Sequence, residues 1–288
     1  MVQAGQTAVL IVAHPGHEAL LHGWMERVRP RILILTDGSG RSGKPRINAT
    51  SQYIATLGLK HGSLFGRFSD LLIYEKILAQ DFAFFGAVAN EICETLLAER
   101  VDYVVGDSAE GYNSVHDLCR MLVKCAVGRA ERLSGRSIGN FDYPVVDSFR
   151  RPPPQVNDNQ SRWTLDQATF DRKLAAVEKY YAELVAEVRA ACDGTRDNSY
   201  RQYFESGSPC PYLPEDSGLE MFRSESIRDC AGDSDYPEVV EPPPYYERHG
   251  EEQAAAGAYE RVIRYTEHMM PIASYLQEHR SAGIATGG

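Results

Sequence analysis

Over the first half of the chain, short all-apolar runs alternate with stretches in which apolar residues recur every three or four positions. Ala8-Val9-Leu10-Ile11-Val12, Arg31-Ile32-Leu33-Ile34-Leu35 and Val101-Asp102-Tyr103-Val104-Val105 are of the first kind. Such runs predict strands buried on both faces. The full pattern predicts strands at 8–13, 31–36, 63–68, 102–106 and 138–146, with helices at 17–28, 48–58, 80–98 and 115–132 between them. Strands that alternate with helices need crossover connections. The expected fold class is therefore α/β, a Rossmann-like, mostly parallel sheet with helices on both faces.

The pattern changes after Arg150-Arg151-Pro152-Pro153-Pro154. Leu165, Phe170, Leu174, Val177, Tyr181, Leu184 and Val188 then recur at helical spacing and predict a helix over 165–192. From 193 to 250, Pro, Gly, Ser, Asp and Tyr dominate. A loop this long is uncommon in a compact domain, and its aromatics are too many for a solvating linker. It is expected to form an ordered cap over a site, or a contact between copies of the chain in a homo-oligomer. A last helix is expected over 251–279, carrying Arg261, Arg264 and His268, with a frayed Gly- and Ala-rich tail. The expected organisation is an α/β core over 1–150 and a C-terminal extension over 151–288 packed on it.

Composition narrows the class. The 288 residues carry a net charge of −10, which argues against a nucleic-acid binder, since that would need a basic face. No charged leader followed by an apolar run opens the sequence, and nothing approaches a membrane span; the expectation is a cytoplasmic protein. Six cysteines are scattered without a C-x-x-C pair, so neither a cysteine zinc site nor a disulfide scaffold is expected.

The chemistry is expected at the carboxyl ends of the strands, where open α/β sheets keep their sites. The first predicted strand runs into Ala13-His14-Pro15-Gly16-His17-Glu18, which puts two imidazoles in one tight turn. A third, His116, opens the helix that follows the strand ending at Asp107. A catalytic zinc site takes three protein ligands and keeps one position open. His14, His17 and His116 are accordingly the expected ligands of zinc or another divalent metal. Gly38-Ser39-Gly40-Arg41-Ser42-Gly43-Lys44-Pro45 imitates a phosphate-binding loop. Pro45, however, removes the hydroxyl and the N–H that such a loop needs. The glycines fit better as a rim over the site, with Arg41 or Arg46 offered to an anionic part of a small-molecule substrate.

With these motifs the sequence resembles the PIG-L/LmbE-like family of zinc-dependent N-deacetylases. That family carries Ala-His-Pro-Asp-Asp-Glu after its first strand, a Leu-Thr-x-Gly segment after its second, and a later His-Pro-Asp-His. The matching segments here are Ala13 to Glu18, Leu35-Thr36-Asp37-Gly38, and Asn113-Ser114-Val115-His116, which keeps only the last histidine. A weaker match is Ala55-Thr56-Leu57-Gly58, followed by Asp70. The resemblance covers about the first 150 residues. It implies hydrolysis of an amide on a small polar substrate, with metal ligands at His14, His17 (an aspartate in the family) and His116.

Gly16 stands where the family has its general base. Asn113 and Val115 replace two further residues of the histidine motif. A substitute base would have to come from acids near strand ends, with Asp107 and Glu110 as the catalytic candidates. Glu18 and Asp37 are expected to orient ligands from behind. The competing expectation is a catalytically altered or inactive relative that binds a ligand or partner.

Overall fold

In the computed structural model the described residues are 5–40, 43–146, 160–186, 222–230, 236 and 240–281. Arg41, and the aromatic-rich stretch before Phe222, lie outside them. The elements in chain order begin β1 (Ala8–Val12), a 3-10 turn (His17–Leu21), α1 (His22–Val28), β2 (Arg31–Thr36), α2 (Ile47–Thr56) and β3 (His61–Phe68). They continue with α3 (Asp70–Leu78), α4 (Phe82–Ala98), β4 (Tyr103–Asp107), α5 (Ser114–Ser134) and β5 (Gly139–Tyr143). After these come β6 (Gln160–Thr164), α6 (Gln167–Tyr180), β7 (Ser224–Asp229) and α7 (Tyr245–Ala255). A π turn (Tyr265–Met269) and α8 (Met270–Ser281) close the described chain.

One seven-stranded sheet runs in the order β3-β2-β1-β4-β5-β7-β6. Its first five strands are parallel, and β7 and β6 add antiparallel at one edge. The α/β, Rossmann-like, mostly parallel sheet expected from the sequence is therefore present. β1 is buried along its whole length. Alternate residues of β1 and β2 feed opposite faces, as the two-residue period of a strand demands. Val9, Ile11, Leu33 and Leu35 join a core with α4, α5 and α8. Ala8, Leu10, Val12, Ile32 and Ile34 join a second core with α1, α2 and α6.

The chain runs outward from β1 through β2 to β3, then returns to lay β4 on the other side of β1. The sheet therefore changes direction between β1 and β4, and the crevice at their carboxyl ends is where such sheets bind ligands.

Several boundaries differ from the sequence expectation. The helix expected at 80–98 begins at Phe82, capped by Asp81, and a separate helix α3, capped by Ser69, precedes it. The predicted 165–192 helix begins at Gln167, is interrupted at Tyr181, with φ −131° and ψ 38°, and resumes over 182–186; its expected end, 187–192, lies outside the described residues. The single helix expected over 251–279 is instead α7, an irregular stretch containing Gly257 at φ 75°, and then the π turn and α8. The expected 193–250 loop contains β7 and the start of α7. β6 and β7 are short and half polar, QSRWT and SESIRD, so no apolar run announces them.

Candidate active site

His14 and His17 leave β1 at the sheet's change of direction. Gly16 makes the turn between them possible. Its φ of 106° and ψ of −25° lie where a side chain is strained. Its N–H donates to Glu18 Oε2 at 2.8 Å. The Tyr181 hydroxyl donates to Glu18 Oε1 and lies 3.0 Å from Thr50 Oγ1. Burial pushes the Glu18 carboxyl up from its ordinary value, against these hydrogen bonds. Glu18 thus braces the turn from beneath.

His116 arrives from the other side of the switch point. Asn113 caps α5 by accepting the Val115 N–H at 2.8 Å, and Val115 is a core residue. His116 is then in the first turn of α5 and buried. The three imidazoles converge. Ring centroids are 5.3 Å apart for His14 and His17, 5.1 Å for His14 and His116, and 4.5 Å for His17 and His116.

Two carboxylates fix two of these rings. Thr36 Oγ1 donates to the Ala13 carbonyl at 3.1 Å, so it accepts at His14 Nδ1, 2.8 Å away. Asp70 Oδ1 lies 2.9 Å from the same nitrogen. His14 therefore carries its proton on Nδ1, and Nε2 keeps a lone pair. That Nε2 is buried and without a hydrogen-bond partner. His17 Nδ1 donates in the same way to Asp107 Oδ2 at 2.8 Å, which also accepts the Ala13 N–H at 2.8 Å. His116 Nδ1 is buried without a partner, and the buried Tyr143 hydroxyl lies against the Asp107 carboxylate.

Burial disfavours the charged forms of His14 and His116. Burial lowers the His14 pKa, although Asp70 opposes it. Burial, and then the neighbouring His17 and His14, push His116 well below the usual histidine value. Burial alone would raise the Asp70 carboxyl. The hydrogen bonds and charge of His14, with Thr36 and the Gly40 N–H, outweigh it and hold Asp70 well below the usual range.

This chemistry fits a divalent cation: converging imidazoles, unpartnered buried nitrogens and carboxylates behind the rings. The shell is not closed. Among the described residues, no three His, Cys, Asp or Glu side chains present their donors as a formed metal site. Rings sharing one zinc at tetrahedral angles sit about 5 Å apart between centroids.

The other expected residues fall as follows. Glu110 accepts the backbone N–H groups of Val145 and Val146 through its carboxylate. Asp37 accepts the Ser39 N–H at 2.9 Å and shapes the glycine turn. Arg46 Nε donates to the Gly38 carbonyl at 2.8 Å. Arg41 lies outside the described residues. Thr36 and Asp70 touch His14 but were not among the residues expected to act. Their signal was the Leu35-Thr36-Asp37-Gly38 segment and the aspartate after the third strand.

No family model and no curated protein matches the chain. Among solved structures, it is similar to the A40926 pseudoaglycone deacetylase at 15% identity and a TM-score of 0.49, over 78% of this chain and 96% of that one. It is also similar to the conserved protein TT1542 from Thermus thermophilus, at 17% identity and 0.46, over 82% and 99%. A third is the zinc-inhibited form of a teicoplanin deacetylase, at 11% identity and 0.42, over 79% and 100%.

Proposed function

We propose that the protein is a metal-dependent hydrolase of an amide bond, an N-deacetylase-like enzyme. The observation that carries this is the convergence of His14, His17 and His116 with two of the rings backed by Asp70 and Asp107. His14, His17 and His116 would hold the cation, zinc by its donor set. Bound there, it would acidify a water and polarise an acyl oxygen.

The chain's own residues supply the rest. Asp70 and Asp107 keep His14 and His17 in the tautomer whose Nε2 carries the lone pair. Glu110 is engaged with backbone N–H groups, so Asp107 is the better proton acceptor of the two. Asp107, which holds His17 Nδ1 and lies against the Tyr143 hydroxyl, would take the proton that Gly16 cannot and return it to the leaving amine. Such help is worth about a hundred- to ten-thousand-fold in rate.

A second reading has its own support: Gly16 has no side chain, and both carboxylates already hold ring nitrogens. It makes the protein a non-hydrolytic metal-site relative that binds a ligand.

Zinc-reconstituted full-length protein should retain about one equivalent after desalting, and His14→Ala and His116→Ala should lose it. Release of amine from N-acetylated substrates should accompany the metal and fall at least a hundredfold in Asp107→Asn. Stoichiometric zinc without turnover favours the second reading. No zinc, with no change in either histidine variant, rejects both.

A further inference from the structure

A cavity of about 600 Å³ opens beside the histidines. Its walls come from α3, the loop between β4 and α5, α7 and the irregular stretch before the π turn. It adjoins the histidine cluster, although none of the three histidines is on its lining. Asn113 and Ser114, on its lining, immediately precede Val115 and His116, and the Tyr112 ring lies 6.0 Å from His116. Gly40, also on the lining, donates its N–H to the Asp70 carboxylate that holds His14. The volume is that of a pocket for a drug-sized ligand.

The lining is aromatic at depth and charged at the rim. Tyr112 and Tyr245 stack with centroids 5.6 Å apart and planes 3° apart. Tyr245 in turn stacks on His249 at 5.4 Å and 17°. These rings form an aromatic stack on the cavity's lining, with Tyr112 beside His116. Tyr74, Tyr259, Val262 and Ile263 complete the apolar lining. At the mouth is Leu71, 63% exposed and the most exposed large apolar side chain among the described residues. Glu75, Glu260 and Arg261 lie at the surface of the same pocket. An exposed leucine and stacked tyrosines beside a polar centre suit an amphipathic molecule.

We infer that the substrate is an amide of a ring-bearing, largely apolar amine, whose ring packs beside the Tyr112–Tyr245 stack while its amide reaches the histidines. This rests on the hydrolase reading for the site and replaces the small polar substrate that the resemblance implies. The ring contributes binding energy away from the reacting bond, which orients the amide.

Calorimetric titration of chelator-treated full-length protein tests it without metal or turnover. The probes are N-acetyltyramine, an N-alkyl acetamide of similar size, and N-acetylglucosamine. N-acetyltyramine should bind at least tenfold tighter than either of the others. Leu71→Asp and Tyr259→Ala should each weaken it about five- to tenfold, with unchanged circular dichroism. Leu71 is exposed enough for the first variant to leave the fold intact. Equal or tighter binding of the sugar or the alkyl amide overturns the inference, as does N-acetyltyramine binding that neither variant weakens. Such a failure leaves zinc uptake and amide hydrolysis as separate questions, because neither is read in this titration.

Discussion

At the scale of single residues, the proposed chemistry depends on which nitrogen of each imidazole carries the proton. Asp107 sets this for His17, and Asp70 with Thr36 sets it for His14. Carboxylates behind metal-binding histidines typically govern ten- to a hundredfold in affinity. Asp70→Asn should therefore weaken zinc binding by about that factor in a competitive chelator titration, while leaving the unfolding transition cooperative. The histidines themselves were legible in the sequence, because His-Pro-Gly-His after an apolar run has few other readings. Glu110 was not. Its position after β4 suggested chemistry, but Val145 and Val146 place N–H groups against it only once β5 is formed. Nor could the sequence show that Gly16 has φ 106°. A side chain there would be strained by the backbone, although there is room for it beside Leu184 and Tyr181, so this turn favours glycine.

At the scale of elements, β1, β2 and β4 were readable because both their faces are buried and their runs are mostly apolar. β6 and β7 were hidden by their polar content, part of which is structural. Glu225 of β7 is fully buried and accepts the N–H groups of Gly23 and Trp24 and the Trp163 Nε1–H. Lys173 of α6, equally buried, donates to Glu225 at 3.0 Å and to the Leu20 carbonyl at 2.6 Å. A lysine and a glutamate in half-polar segments look solvent-facing in sequence; here they tie α6, α1 and the antiparallel edge together. Removing one partner of a buried pair costs about 3–5 kcal/mol, since the other charge stays behind. Lys173→Met should lower the urea midpoint by that much stability at pH 7. A loss under about 1 kcal/mol would show that the pair adds little.

At the scale of the whole molecule, buried neutral histidines couple folding to pH. Burial lowers the His22 pKa, and it lowers His14 and His116 in the same direction. In the unfolded chain each titrates near 6.5. On acidification the unfolded state takes up these protons first, so stability is full above about pH 6.5 and is lost as pH falls toward the folded values. Each such histidine adds up to about 1.4 kcal/mol per pH unit to the slope. Metal-free protein unfolded in denaturant between pH 7.5 and 5 should lose stability with that sign. His22→Leu should show a shallower slope, and an unchanged slope would exclude His22 as a source.

The brace under the histidine turn also has a consequence in time. Glu18 finds the Tyr181 hydroxyl 163 positions further along the chain. At translation rates of about 5–20 residues per second, its partner leaves the ribosome roughly ten to thirty seconds later. A nascent chain displays His14 and His17 long before their turn has its support, so the crevice matures as a late event in biosynthesis, after α6 has docked.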